Sequence, residues 1–365
     1  MSLIKSISGI RGTIGGKAGR GLSPLDVVKY TAAYGEWVLR NSKRKKSCII
    51  TGRDARPSGE MINKLMTGTL TALGIDVIDL GLATTPSVEI AVIAEKASGG
   101  IILTASHNPV EWNALKLLNG EGEFVTASDG AQILEIAEKM DYNFAGYENI
   151  GTVQSDLSYN TKHIDMLLAL PDIAIEKIKN HKYKVVIDCV NSVGGLILPE
   201  LLDKLGIEEV IGIYTRPDGL FPHNPEPLPE NIKELSRAVV SNKADLGFVV
   251  DPDVDRLAIV SEDGSCFNEE YTLVACADYI LSMRKGNTVS NMSSSRALRD
   301  ITEKHGGKWY ASAVGEVNVV AKMKEVNAVI GGGGNGGILL VAPCRATRYT
   351  IAPSSRKIRR LSRVY

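Results

Sequence analysis

Short β-rich runs alternate with helical stretches along most of this 365-residue chain, which limits the folds open to it. Such alternation is typical of α/β architecture, in which helices cover a mainly parallel sheet. The pattern predicts strands at 46–51, 75–80, 100–104, 184–189, 210–214, 245–250, 257–260, 288–291, 308–311 and 327–330. It predicts helices at 24–41, 58–73, 86–95, 129–140, 231–241 and 268–283, and a proline-rich loop at 215–229.

Three units of this kind follow one another, and each has a glycine-rich or acidic loop after a central strand. A loose stretch at 141–156 precedes the second unit. We therefore predict three consecutive α/β domains over residues 1–150, 151–262 and 263–342. Residues 343–365 have no α/β pattern and are predicted to be a separate basic tail.

The formal net charge of zero hides this tail, which holds seven Lys or Arg residues and no Asp or Glu. Without it the chain carries 35 basic and 42 acidic residues. A mildly acidic body offers no basic field for nucleic acid, so we predict no nucleic-acid partner. Contact between the tail and nucleic acid is the alternative.

Several function classes are disfavoured by what the sequence lacks. Its apolar runs are far shorter than the ~18–20 residues that span a bilayer, and residues 1–16 have no signal-peptide core. The five cysteines, at 48, 189, 266, 276 and 344, are scattered and odd in number, which favours reduced thiols. We therefore predict a cytoplasmic protein with no membrane partner.

The first candidate site is TASHNP, Thr104–Pro109, which follows an apolar strand. Ligands of open α/β sheets bind beyond the carboxyl ends of strands, so Ser106 stands where a nucleophile is expected. His107 and Asn108 begin the turn, and Lys116 follows ten residues after the serine. An ordinary polar turn with a serine cap is the alternative.

The second candidate is DPDVDR, in which Asp251, Asp253 and Asp255 follow another apolar strand. Three carboxylates in one tight loop repel one another unless a cation offsets them. Their hard oxygens suit Mg²⁺, and Arg256 is placed to hold an anion nearby. A solvated acidic turn is the alternative, and the spacing does not fit an EF-hand.

The third candidate is GGGGNGG, residues 331–337, which fits G-x-G-x-x-G at its second, fourth and seventh positions. A dinucleotide site also needs a following helix and a later acid. Here ILLVAP follows and no acid remains, so an NAD-dependent enzyme is a weak alternative, as is a flexible loop. Near the start, SGIRG places Arg11 in an anion site or a turn, and the GRD at 52–54 is interpreted as structural.

Together these motifs resemble the α-D-phosphohexomutase superfamily. TASHNP is similar to its phosphoserine loop, DPDVDR to its metal loop and GGGGNGG to its sugar-recognition loop, and SGIRG and VGEVN (314–318) fit as well. The motifs occur in the family's order over residues 1 to about 338. Within the superfamily the chain looks most like phosphoglucosamine mutases of the short bacterial and archaeal type. Phosphomannomutase and phosphoglucomutase are close alternatives.

The resemblance implies an isomerase that interconverts a hexosamine 6-phosphate and 1-phosphate through phosphorylated Ser106 and a sugar bisphosphate. It implies one Mg²⁺ per chain on Asp251, Asp253 and Asp255, which also touches the phosphoserine oxygen. Catalytic roles fall to Ser106, Arg11, Lys116 and His107, and sugar-phosphate contacts to Asn108, Arg256, Gly332, Gly333, Gly334, Asn335 and Gly336. The loops 104–109, 251–256 and 331–337 are then expected to converge. The resemblance does not predict an oligomeric state.

The chain departs from the family pattern in two places. The family usually has Glu where this chain has Gly333, and its loss is expected to weaken sugar orientation. We expect that the family's fourth domain, which binds the distal phosphate, has no counterpart after Ile338. A reading-frame shift there would explain the basic tail, and a genuinely divergent tail is the alternative. We therefore expect impaired turnover, with a catalytically degenerate phosphosugar-binding protein as the alternative.

Overall fold

The computed structural model describes residues 2–6, 9–42, 44 and 46–340, so Ser8 and the predicted tail 343–365 lie outside the described residues. The chain divides into two compact units. The first contains the residues up to Asn160 together with Asn191–Val193 and Pro217–Phe221. The second contains Thr161–Val190, Gly194–Arg216 and the chain from Pro222 onward.

The first unit is a seven-stranded sheet with helices on both faces. Its strands are β1 (Leu3–Ser6), β2 (Gly9–Thr13), β3 (Cys48–Arg53), β4 (Asp76–Leu82), β5 (Gly99–Leu103), β6 (Trp112–Leu118) and β7 (Val153–Ser155), in the order β1-β2-β6-β5-β3-β4-β7. Its helices are α1 (Pro24–Asn41), α2 (Gly59–Ala72), α3 (Thr85–Ala94) and α4 (Ala127–Lys139), with a short 3-10 helix at Tyr147–Asn149. Strands β5, β3, β4 and β7 are parallel, whereas β1, β2 and β6 pair antiparallel.

Alternate residues of the central strands enter two separate cores, because successive side chains of a strand point to opposite faces. Ile49 packs with α1, α2 and α4, whereas the next residue, Ile50, packs with α3. Ile101 and Ile102 divide in the same way. Each fully buried side chain of this size contributes about 1.5–3 kcal/mol, so the two cores stabilise the sheet from both faces.

The second unit contains two smaller sheets. The first is ordered β12-β11-β10-β8-β9, with strands β8 (Lys184–Asp188), β9 (Glu209–Ile213), β10 (Leu246–Val250), β11 (Leu257–Ser261) and β12 (Cys266–Phe267). The other is ordered β14-β13-β15-β16, with strands β13 (Asn287–Asn291), β14 (Trp309–Ser312), β15 (Ala328–Gly332) and β16 (Ile338–Leu340). The remaining helices are α5 (Tyr159–Leu168), α6 (Ile175–Lys179), α7 (Gly194–Lys204), α8 (Lys233–Ser241), α9 (Glu269–Met283), α10 (Ala297–Lys304) and α11 (Glu316–Val326).

The predicted α/β class is confirmed, and most predicted elements are present. Helix α1 begins where Ser23 and Pro24 predicted, because Ser23 and Asp26 form a reciprocal capping box. Helix α3 instead begins at Thr85 with Thr84 as its cap, so Pro86 is its second residue rather than its first. Among the described residues, no helix or strand interrupts 215–229, as predicted. No helix in the described part of the chain is long and apolar enough to cross a membrane.

Six of the described strands, β1, β2, β6, β7, β12 and β16, were not predicted, and three of them depend on long-range pairing. The stretch 112–118 is strand β6, the glycine-rich start near Arg11 is strand β2, and the loose stretch 141–156 contains the edge strand β7. Each is short or lacks a clear period, and each is held by pairing with a strand distant in sequence. The domain boundaries at 150, 262 and 342 stay a prediction.

We expect stability to fall in acid because of His163, a buried residue of α5. Burial lowers the pKa of His163 to about 4, against an ordinary value of 6.5. As the pH falls, the unfolded chain is therefore protonated at this histidine before the folded chain is. The free energy of unfolding decreases by on the order of 3 kcal/mol between pH 6.5 and pH 4. Urea unfolding of wild type and His163→Leu at pH 7 and pH 4.5 tests this. An equal acid-induced loss in both proteins would contradict it.

Candidate active site

Ser106 lies at the centre of a tight loop that begins where β5 ends. Its φ of +50° is in the left-handed region, which non-glycine residues adopt only when their surroundings hold them there. The Ser106 backbone N–H donates to Thr104 Oγ1 at 2.9 Å, and its Oγ lies 3.4 Å from His107 Nδ1. The side chain is only 8% exposed. The predicted nucleophile is therefore held in one orientation by its own loop.

A fully buried ion pair between Asp54 and Arg56 supports this loop from the interior of the protein. Strand β3 runs parallel to β5, so the residues after the two strands meet at the same sheet edge. Arg56 Nε donates to Asp54 Oδ2 at 2.9 Å, and both side chains are 0% exposed. Thr104 Oγ1 donates to the same carboxylate oxygen at 2.7 Å. Asp54 thus connects the end of β3 to the start of the serine loop.

The Arg56 guanidinium donates hydrogen bonds to four backbone carbonyls, three in the serine loop and one at Trp112, the first residue of β6. Nη2 donates to the carbonyls of Ser106 at 2.5 Å and Asn108 at 2.7 Å. Nη1 donates to the carbonyls of Trp112, at 3.0 Å, and Pro109. Only a planar group with a fixed fork of donors can satisfy so many carbonyls at once. The strained loop is therefore fixed by a single buried side chain.

Residues from later in the chain complete the covering of Arg56 within the first unit. The Phe221 ring centroid lies 5.0 Å from the guanidinium carbon, within the range of a cation–π contact. Ser192 Oγ accepts the N–H of Ala55 at 3.3 Å. Gly219, at φ +72°, approaches so closely that a Cβ would stand 2.0 Å from the Ala55 carbonyl oxygen. A glycine is required there.

Arg11 and Lys116 lie on the neighbouring antiparallel strands β2 and β6. Arg11 pairs directly with Ala114, and Lys116 is two residues further along β6, so both side chains leave the same face. The Thr104 N–H donates to the Ala114 carbonyl at 3.3 Å, which connects this pair of strands to the start of the serine loop. Arg11 Nε is buried without a hydrogen-bond partner among the residues that the structure describes. A cationic group with an unused donor suits an anion.

In the second unit, Asp251, Asp253 and Asp255 lie together in the turn between β10 and β11. One carboxylate oxygen from each lies within 4.8 Å of the others, and the first two residues are fully buried. Asp251 Oδ1 also accepts the backbone N–H groups of Asp255 and Arg256, both at 3.2 Å. Val254, at φ +61°, turns the chain back so that the three side chains converge.

The donor set fits a hard divalent cation. Carboxylate oxygens are the ligands that Mg²⁺ prefers, and three in one small volume repel one another without a positive charge. Arg256 is beside them, with Nε 3.9 Å from an Asp255 oxygen. Burial alone would lower the pKa of Arg256, but the surrounding Asp251, Asp255 and Asp253 carboxylates outweigh it and raise the pKa. The guanidinium therefore stays charged.

The glycine loop adjoins the acidic loop within this unit. It joins β15 to β16 as a hairpin, closed by the Gly333 N–H, which donates to the Gly337 carbonyl at 3.2 Å. Gly336, at φ +82°, lies against Leu257, whose N–H donates to its carbonyl at 3.4 Å. A dinucleotide site would need a helix here, and the chain forms strand β16 instead. The structure therefore disfavours the NAD-dependent alternative.

Gly333 faces two amide side chains. A Cβ at this position would stand 2.7 Å from Asn291 Nδ2 and 2.9 Å from Asn335 Oδ1. Asn291 ends β13, and its Oδ1 accepts the N–H of Ser293 at 3.1 Å, which orients the amide. The space beside Gly333 is therefore polar but too small for a larger residue unless Asn291 moves.

The structure thus groups the predicted residues in two sets. Ser106, His107, Asn108, Arg11 and Lys116 belong to the first unit. Asp251, Asp253, Asp255, Arg256, Gly332, Gly333, Gly334, Asn335 and Gly336 belong to the second. The predicted convergence of all three loops stays a prediction.

Sequence reasoning missed the roles of Arg56 and Asn291. Arg56 was detectable in part, because two charged residues directly after a buried strand, in GRDAR, need an explanation. Nothing local marks Asn291, whose position beside the glycine loop depends on the parallel pairing of β13 and β15.

Comparison with known protein families matches three consecutive segments of this chain. Residues 3–144, 161–264 and 268–347 match alpha/beta/alpha domains I, II and III of phosphoglucomutase/phosphomannomutase. The phosphoglucomutase/phosphomannomutase of Thermococcus kodakarensis is 34% identical over 332 residues, which cover 90% of this chain and 72% of that protein. A probable phosphoglucosamine mutase of Methanopyrus kandleri is 30% identical over 331 residues, which cover 90% of this chain and 70% of that protein.

A solved structure supports the fold. The crystal structure of a phosphoglucomutase/phosphomannomutase family protein from Burkholderia thailandensis is similar with a TM-score of 0.82 at 24% identity. The match covers 99% of this chain and 76% of that one.

Replacing Arg56 by alanine is expected to destabilise the protein by about 3–5 kcal/mol, because it leaves a buried carboxylate without its partner. Arg56→Lys should recover little, since an ammonium lacks the planar fork. Urea denaturation with Arg40→Ala as the exposed-arginine control measures this. A small loss, equal to that of the control, would contradict the structural role of Arg56.

We expect Mg²⁺ to bind the acidic loop and Asp253→Asn to weaken that binding about tenfold or more, since a neutral amide replaces one of three anionic ligands. Titration calorimetry of Mg²⁺ into both proteins measures this. The control is Asp300→Asn, an exposed carboxylate on α10. Unchanged Mg²⁺ affinity in Asp253→Asn would exclude this loop as the site.

Proposed function

This chain belongs to the phosphoglucomutase/phosphomannomutase family, whose members are phosphohexomutases, and we propose that it interconverts a hexosamine 6-phosphate and the 1-phosphate. The observation that carries the proposal is Ser106, a strained and largely buried serine in a loop that directs three of its carbonyls to one buried arginine. A loop held this firmly places Oγ in a fixed position. That is what transfer of a phosphoryl group requires, since positioning and charge neutralisation dominate its catalysis.

In this proposal a sugar bisphosphate first primes Ser106 with a phosphoryl group. The sugar hydroxyl oxygen then forms a bond to phosphorus as the bond from phosphorus to Ser106 Oγ breaks. The hydroxyl proton is passed on by Lys116 and reaches Ser106 Oγ, so the step conserves charge. The bisphosphate turns over, and the reverse step returns its other phosphoryl group to Ser106.

Positive charge for this step comes from side chains on β2 and β6. Arg11 Nε is buried and has no acceptor within the described chain, so it is available to the transferring phosphoryl oxygens. His107 Nδ1 lies 3.4 Å from Ser106 Oγ and helps to orient that oxygen. Asn108 Oδ1 is likewise buried with no hydrogen-bond donor among the described residues, which suits a contact to substrate.

Asp251, Asp253 and Asp255 would hold one Mg²⁺, which supplies positive charge against the negative charge of a phosphoryl group. Arg256 lies beside this loop and is proposed to bind a substrate anion. The glycine loop, with Gly332, Gly333, Gly334, Asn335 and Gly336, offers backbone groups and one amide to sugar hydroxyls.

The glucosamine phosphates are our first choice of substrate, and glucose and mannose phosphates are the alternatives. The relatives named above are themselves a phosphoglucomutase/phosphomannomutase and a probable phosphoglucosamine mutase. Because Gly333 carries no side chain to fix the sugar, we propose slow turnover. A cytoplasmic location also belongs to the proposal. It is supported by the described cysteines, which are thiols.

A phosphosugar-binding protein without turnover is the second candidate. It is favoured by Gly333, where the family pattern has a carboxylate. Such a protein would bind sugar phosphates but leave them unchanged.

The purified chain should isomerise glucosamine 6-phosphate in the presence of Mg²⁺ and a glucose 1,6-bisphosphate primer, and Ser106→Ala should abolish this activity. A coupled assay of the 1-phosphate measures turnover, and mass spectrometry measures phosphate on Ser106. Ser241→Ala, a change of an exposed serine on α8, is the control.

Each outcome separates the candidates. Phosphorylation of Ser106 with turnover of glucose or mannose phosphate alone would correct the substrate. Sugar-phosphate binding without phosphorylation or turnover would favour the second candidate. Full activity of Ser106→Ala would exclude the proposed mechanism.

A further inference from the structure

His223, in the proline-rich loop before α8, makes two hydrogen bonds that together define its charge. Its Nε2 lies 3.0 Å from Asp188 Oδ2, and its Nδ1 lies 2.8 Å from the Asn224 carbonyl oxygen. A carbonyl oxygen only accepts, so Nδ1 must carry a proton. A carboxylate also only accepts, so Nε2 must carry one as well. Both bonds are made at once only by the imidazolium form.

The partner carboxylate is at the end of a buried strand. Asp188 is the last residue of β8 and only 1% exposed, and its other oxygen accepts the Val190 N–H at 3.0 Å. A buried carboxylate is costly without a donor, so Asp188 and His223 stabilise each other. The pair attaches the proline-rich loop, which has no regular structure, to the carboxyl end of β8.

The same loop holds Glu226, which reaches the proposed anion-binding arginine. Glu226 Oε1 lies 3.6 Å from Arg256 Nη1. The Glu226 N–H donates to Asn224 Oδ1 at 3.1 Å, and its carbonyl accepts Asn231 Nδ2 at 2.9 Å. Asn224 therefore takes part in both the His223 and the Glu226 contacts. A change at His223 is transmitted to Glu226 through one residue.

We propose that His223 is a positioning residue for substrate binding, because its doubly bonded imidazolium holds Asn224 and Glu226 so that the Arg256 guanidinium keeps one orientation beside the acidic loop. This inference rests on the proposed function, since it takes a sugar phosphate as the anion that Arg256 binds. The clamp is defined as Asp188, His223, Asn224 and Glu226, and the last three of these residues lie in the predicted proline-rich loop 215–229.

The clamp is expected to weaken as the pH rises. Burial alone would lower the pKa of His223, but its hydrogen bond to Asp188 and the Asp188 charge outweigh burial and raise the pKa above 6.5. Glu234 on α8, which accepts a hydrogen bond from Tyr214, adds to this field, and the Tyr214 ring packs on the imidazole at a centroid distance of 5.7 Å. A raised pKa means that the stabilisation is complete below 6.5 and is lost as the pH rises through the folded value.

Nitrogen-15 NMR of the full chain tests the charge, and calorimetry with glucose 6-phosphate tests the role. This sugar phosphate has no amine, and its phosphate, with a second pKa of about 6, is already mainly doubly charged at pH 7. Its remaining titration adds negative charge towards pH 9 and so would strengthen rather than weaken binding. We expect both His223 nitrogens to be protonated at pH 7, and glucose 6-phosphate affinity to fall about tenfold towards pH 9 as the clamp opens. His223→Gln, which keeps one donor but cannot titrate, should bind more weakly at pH 7 and show no such decline.

His181→Gln is the matched control, because His181 is a half-buried histidine bonded to the Lys177 carbonyl and stacked on Tyr183, away from the clamp. It should behave as wild type. Glu226→Gln should weaken binding as His223→Gln does, and the double variant should be no weaker than either, since both changes release Arg256. A purely structural role for His223 would give additive losses.

The outcomes separate the two proposals. A wild-type chain that binds no sugar phosphate overturns the proposed function, and the clamp's role in binding with it. Wild-type binding that is matched by His223→Gln at both pH values overturns the clamp alone. A neutral imidazole at pH 7 also overturns it.

Discussion

The buried Asp54–Arg56 pair is the interaction on which the candidate nucleophile depends. Ser106 adopts a backbone conformation that costs free energy, and the carbonyls around it turn towards the buried Arg56 side chain. One guanidinium satisfies four of these carbonyls, and Asp54 neutralises its charge and binds Thr104. Removing Arg56 would therefore leave a buried carboxylate, unsatisfied carbonyls and a strained loop together, and removing Asp54 would leave the buried guanidinium without its counter-charge.

In the second unit the charge that the surrounding structure must stabilise is negative. Its acidic loop concentrates negative charge, and the structure uses backbone N–H groups, a charged Arg256 and a close glycine hairpin to hold that loop in place. The first unit thus holds the candidate nucleophile with cationic neighbours, and the second holds carboxylates beside polar amides.

The sequence predicted the α/β class and the acidic cluster because the signals for both are local. Apolar runs that end in turns indicate buried strands. Three carboxylates at alternate positions of one turn must lie close together. Arg56 was not singled out, since the carbonyls that it binds lie about 50 residues later and become neighbours only through the pairing of β3 with β5. Strand β6 was missed because WNALKLL has no clean period and depends on β2 and β5 on its two sides. Long-range pairing is what a single sequence does not display.

The composition of the first unit has a consequence for the order in which the protein forms. Its core comes from the first 160 residues, yet Ser192 and Phe221, which cover Arg56, are much later in the chain. During synthesis on the ribosome, chains grow at about 5–20 residues per second and fold from the amino-terminal end. The serine loop would therefore stay incompletely shielded for several seconds after its own sheet has been made. A nascent chain paused before residue 221 would expose Arg56 to water. The serine loop would reach its final conformation only after the later residues had been added.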